Sequence, residues 1–240
     1  MPTSAMPFTR RIADATSAPT ALAPAPALGR VYDGLLDYGF QQDSGLGEDH
    51  GWPPVVLAVD GVPVPAVSLH ASLGAGQVAA ALSTATGGAV GEGQVGVGTL
   101  LSGFGVRAGI GCSSRIGRAG TVGVLVATNG GEPHRLALNG VPIGRWLADL
   151  APLPVSYRRS FAAVLITDAP LLPAQLNRLA QRAAFGLVRV GLLDERTVSG
   201  TMLAVSTTGL NDAMAGLAPE TVTARPTTEA VLHDLFAAGA

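Results

Sequence analysis

The run Arg159–Pro173, Arg-Ser-Phe-Ala-Ala-Val-Leu-Ile-Thr-Asp-Ala-Pro-Leu-Leu-Pro, constrains the fold of this chain more than any other segment. Ser160 opens an apolar, β-branched stretch, Phe161–Thr167, that reads as a buried strand. Asp168-Ala169-Pro170 ends it. From Pro173 to Val190, Leu176, Leu179, Ala180, Ala183 and Leu187 repeat at helical spacing, with Gln175, Asn177, Arg178, Gln181 and Arg182 on the other face. Pro173 suits a first turn and Gly191 a stop. A serine heading such a strand is expected to hold its hydroxyl at a sheet edge, within reach of a substrate. If the bond before it were cut, its new amine could act as the base for its own hydroxyl.

Other elements fall on either side. Val31, Leu35, Leu36 and Phe40 predict a helix over Val31–Phe40, and Gln41–Gly51 a polar loop. Val55–Val59, Thr121–Ala127 and Thr201–Thr207 read as strands. Gly76–Thr84 reads as an Ala-rich helix capped by Ser72 and stopped at Gly87-Gly88. Thr228–Ala237 reads as a final helix. Residues 1–28, rich in Ala, Pro, Ser and Thr, are expected to form a flexible tail, and 29–240 a single domain. Strand sets interrupted by helices predict an α/β (α+β) architecture in layers.

Gly91–Gly111 is dense in glycine, and Gly91-Glu92-Gly93-Gln94-Val95-Gly96 fits the dinucleotide fingerprint literally. That fingerprint requires a strand before it, a helix after it and an acidic residue about 20 residues on. Here a helix precedes, glycine follows, and residues 106–119 hold no acid. Tight turns between closely packed backbones are the better reading.

The net charge of −2 offers no electrostatic case for nucleic acid or an anionic membrane surface. No apolar run approaches the ~20 residues of a membrane helix. Arg10-Arg11 is not followed by a hydrophobic segment, so a cytoplasmic location is expected. Cys112 is the single cysteine and is expected to pack in the core. His50, His70, His134 and His233 lack metal-ligand spacing, and no cofactor is expected. Asp168 is expected to cap the following helix or fix the turn, with support of Ser160 as a further option.

The Arg159–Pro173 run resembles the start of the β-subunit in the DmpA family of self-processing aminopeptidases, which includes β-peptidyl aminopeptidases. The likeness extends through Gly87–Thr99, Gly103-Phe104, Gly109–Arg115, Thr121–Gly130, Gln175–Ala180, Arg182–Ala184, Gly186-Leu187 and Ser199–Thr207. It implies an αββα sandwich like that of N-terminal-nucleophile hydrolases, with 29–159 resembling the α-subunit and 160–240 the β-subunit. It implies that Ser160 is both self-cleavage residue and nucleophile. Asn129 falls on the family asparagine that donates to the oxyanion, although beside Gly130-Gly131 it also fits a plain turn. Ser199 falls on a serine that helps organise the nucleophile. The implied substrate is a small peptide or amide.

Four departures from the family pattern bear on function. The family's long N-terminal segment has no counterpart ahead of residue 30. Leu57 and Val59 stand where the family has an amine-anchoring glutamate and an assisting tyrosine. Thr201 replaces an acid, and Arg159 stands where glycine or asparagine is usual before the cleaved bond. An autoproteolytic serine hydrolase is one reading; a non-catalytic, partner-dependent homologue is the other. Open sheet edges in the absence of the first segment predict a homo-oligomer or a complex with a second subunit.

Overall fold

The computed structural model describes residues 19–46, 54–61, 64–117, 120–147, 149, 159–193 and 197–208, with only the backbone for 159 and 197–199. Two sheets face each other. The larger holds β5 (Ile110–Gly117), β6 (Gly120–Asn129), β7 (Arg159–Thr167) and β8 (Thr197–Ser206) in that order. The first three run antiparallel, and β7 and β8 are parallel. A parallel pair needs a long crossover, which α5 (Pro173–Arg189) supplies. The smaller sheet uses the same device: β1 (Thr20–Pro24) and β2 (Val55–Val59) are parallel and joined through α1 (Leu28–Gln42).

Side-chain alternation along the strands sorts the apolar residues into three layers of contact. Leu57 and Val59 of β2 pack between the sheets on Ala127 of β6, Ala162 and Val164 of β7, and Val97 and Leu101. On the far face Val122 and Leu165 meet Leu179 of α5, together with Ala169 and Leu171. Ala23 of β1 packs under Val31 and Leu35 of α1 and Val78 of α3 (Ala75–Ser83). The order is helix, sheet, sheet, helix: the expected αββα sandwich.

Several local expectations need correction. Within the tail expected over 1–28, Thr20–Pro24 is a strand that pairs residue for residue with Val55–Val59. Ser72 does not cap α3; it ends α2 (Ala66–Ser72) and its hydroxyl donates to the Leu69 carbonyl at 2.9 Å. The start of α3 is closed by Gln77, whose Oε1 accepts the Gly74 N–H at 3.1 Å. β5, α2 and the short α4 (Gly144–Leu147) were not foreseen. The expected helix Thr228–Ala237 lies outside the described residues.

The fingerprint-like glycines form no strand–loop–helix unit. Gly93 bridges Ile110 through Gly93 N–H to Ile110 O at 2.7 Å and Ile110 N–H to Gly93 O at 2.8 Å. A Cβ at Gly98 or Gly109 would run into the Gly93 carbonyl. These glycines let three backbone segments approach one another, as the tight-turn reading requires.

Candidate active site

Asn129, Ser160 and Ser199 fall on one row across three adjacent strands. Asn129 of β6 pairs with Ser160 of β7, and Ser160 pairs with Ser199 of β8. Ser160 has the same parity as Ala162 and Val164, and Asn129 the same as Ala127, so both side chains face the space between the sheets. The β7–β8 register slips between Arg159 and Ser160: Arg159 pairs with Thr197, and Ser160 with Ser199. One residue of β8 is therefore skipped at the peptide bond ahead of the serine. Such bulges break ladder pairing and re-aim the chain, and they recur beside active sites.

Asp60, directly after β2, reaches Ser160 through its backbone. Ser160 Oγ accepts a hydrogen bond from the Asp60 N–H at 2.9 Å and lies 3.5 Å from the Asp60 carbonyl. Ser160 is 1% exposed and sits on an inner strand. This corrects the expectation of an accessible hydroxyl at a sheet edge: in the intact chain Oγ is enclosed by β2 and the neighbouring strands.

Asn129 is fully buried at the end of β6, just before Gly130 and Gly131, whose φ of 100° and 87° turn the chain away. Its Oδ1 accepts from the Ser102 N–H at 3.2 Å and the Ser102 hydroxyl at 3.4 Å. Ser102 is 4% exposed and opens the two-residue strand β3 (Ser102–Gly103), which pairs with β4 (Val106–Arg107). It carries no sequence signal, because its main contribution is a backbone N–H that every residue but proline has.

The two apolar departures are core positions. Leu57 and Val59 are buried between the sheets, and Asp60 follows directly to reach Ser160. Thr201 pairs with Ala162, two residues beyond the Ser160 row. Asp168 lies at the opposite end of β7 from Ser160, which removes it from this site. It does not cap α5 either. Its Oδ1 accepts the Thr121 N–H at 2.6 Å, fixing the turn, while Gln175 Oε1 accepts the Leu172 N–H at 2.9 Å at the helix start.

Cys112 is half-exposed on β5 rather than in the core. Glu92 Oε1 accepts from its N–H at 2.8 Å and from its thiol at 3.0 Å. That thiol bond holds the Glu92 carboxyl below its usual value and pushes the Cys112 thiol above its own.

The layered αββα sandwich is shared with solved aminopeptidases, one of them described as a variant of the Ntn hydrolase fold. The L-aminopeptidase D-Ala-esterase/amidase of Ochrobactrum anthropi, described as a prototype serine aminopeptidase and a variant of the Ntn hydrolase fold, superposes with a TM-score of 0.69 at 27% identity, over 78% of this chain and 52% of that one. A Burkholderia sp. beta-aminopeptidase gives 0.66 at 29% identity, over 89% and 64%. The sequence pattern of Peptidase family S58 matches residues 12–240, and the chain belongs to that family. The beta-peptidyl aminopeptidase BapA of Sphingosinicella xenopeptidilytica is 42% identical over 130 residues, 48% of this chain and 32% of that protein. The BapA of Sphingosinicella microcystinivorans is 38% identical over 150 residues, covering 55% and 38%. The match thus spans about a third of the length of these curated relatives.

Proposed function

We propose that this chain is a serine-nucleophile amide or peptide hydrolase that activates itself by cleavage between Arg159 and Ser160. The observation that carries this reading is the strand irregularity at that bond, with Ser160 Oγ held by the Asp60 N–H immediately beside it. Family membership and the named activities of the aminopeptidase relatives support it.

In the self-cleavage step, Ser160 Oγ attacks the Arg159 carbonyl carbon. A C–O bond forms, the C–N bond breaks, and the hydroxyl proton passes to the departing nitrogen. Water then hydrolyses the ester, leaving the Arg159 carboxylate and a free Ser160 amine and hydroxyl. Release of the new ends opens a site that is enclosed in the intact chain. In turnover the amine serves as base for Oγ, the Asn129 amide donates to the oxyanion, and Ser199 on the same row supports the nucleophile. Leu57 and Val59 supply no partner for an ammonium group, so the substrate is a small peptide or amide held through other groups.

The catalytic reading outranks a non-catalytic one because Asn129, Ser160 and Ser199 share a row. Ser160→Ala tests it: the variant is expected to stay one chain and to hydrolyse no amide. Processing or turnover that survives this change overturns the proposal.

Association with a second copy or another subunit fits the exposed apolar side chains Leu138, Val141, Trp146 and Leu147, clustered in sequence around α4. A cytoplasmic location accords with the single cysteine. Among the described residues no helix is long and apolar enough to cross a membrane.

A further inference from the structure

We infer that Ser102 is a positioning residue that sets which end of the Asn129 amide can face a substrate; this rests on the oxyanion role proposed for Asn129. An asparagine amide has one accepting and one donating end, and only the donating end stabilises an oxyanion. A backbone N–H can only donate. The Ser102 N–H, 3.2 Å from the Asn129 carboxamide, therefore dictates that the facing atom is Oδ1, and the Ser102 hydroxyl adds a second donor at 3.4 Å. Nδ2 is turned to the other side.

The holder is itself held. The Gly130 N–H donates to the Ser102 carbonyl at 2.7 Å, and the Phe104 N–H donates to the Gly130 carbonyl at 3.0 Å. Gly103 and Gly130 form a parallel bridge. β3 is thus laced to the residues that follow Asn129, so the donors and the amide move as one unit. With both groups buried, a flipped amide would set Nδ2 against the Ser102 N–H and leave that donor unsatisfied, which is costly, whereas the hydroxyl could turn to accept. Pre-set orientation of this kind means the donor needs no rearrangement as charge develops.

A double-mutant cycle reads the coupling. Ser102→Ala keeps the backbone donor and loses the hydroxyl, so kcat for amide hydrolysis is expected to fall about fivefold with KM unchanged, the size of one neutral hydrogen bond. Ser102→Thr should restore it, and Ser102→Ala should add no further loss in an Asn129→Ala background. In parallel, the side-chain amide protons of Asn129, followed by NMR in the intact Ser160→Ala chain, should show two resolved resonances that broaden or shift with Ser102→Ala and return with Ser102→Thr. Equal losses in both backgrounds, or amide resonances indifferent to residue 102, overturn the inference. A turnover unchanged by Asn129→Ala refutes the oxyanion reading instead, while the NMR readout still judges the orienting contact.

Discussion

Asn129 and Ser160 are directly opposed across β6 and β7, both buried and both facing the gap between the sheets. Directly opposed residues on antiparallel strands carry Cβ atoms about 4.5–5.5 Å apart. A side-chain amide and a hydroxyl at that spacing can address one carbonyl from two sides.

Replacing Asn129 with alanine is therefore expected to lower turnover about 100-fold or more. It also strips the Ser102 donors of their acceptor, so stability should fall by about 1–3 kcal/mol. Steady-state kinetics and denaturant melts measure the two effects separately. A variant with undiminished turnover removes Asn129 from the reaction.

The substrate choice proposed above rests on β2. With apolar Leu57 and Val59 buried between the sheets, simple aminoacyl p-nitroanilides should be poor substrates beside amides without a free α-amine. Comparing kcat/KM across the two sets decides this. Efficient hydrolysis of the aminoacyl compounds would mean that a carboxylate elsewhere binds the amine.

The elements that declared themselves in the sequence are those whose burial is one-sided or complete. α5 shows its apolar face at helical spacing, and β6 and β7 are continuous β-branched and apolar runs. β5 did not, because Gly111, Ser113, Ser114 and Gly117 dilute an edge strand that is mostly exposed. β1 was hidden for a different reason: Thr-Ala-Leu-Ala-Pro looks like its Pro/Ala-rich surroundings, and only its pairing with β2 makes it a strand. The candidate site divides the same way. Ser160, Asn129 and Ser199 were legible as side chains in a family-like pattern. The Asp60 and Ser102 contacts were not, since backbone N–H donors leave no trace in residue identity.

The Glu92–Cys112 contact has its own signature. The thiol is raised, so its alkylation by iodoacetamide should titrate at a pH above that of an ordinary cysteine, about 8.5. Glu92→Gln should bring the midpoint down. For Glu92 the shift is downward, so whatever stability the contact adds is present above the carboxyl's unfolded value and is lost as pH falls through the lower folded one. A midpoint at the ordinary thiol value, unmoved by Glu92→Gln, would contradict this contact.

Assembly is tested by light scattering over a concentration series. The exposed Trp146 and its apolar neighbours predict a mass above that of one chain, falling when Trp146 is replaced by a charged residue. A monomer at every concentration would show that this face has no partner copy.

The proposed activity depends on the Arg159–Ser160 bond being cut by the chain itself. Intact-mass measurement of freshly purified and then incubated protein tests it most directly. Self-cleavage yields two fragments whose masses sum to the full chain plus one water, the second beginning at Ser160, and none from the Ser160→Ala variant. A single full-length mass after long incubation across a range of pH would contradict it.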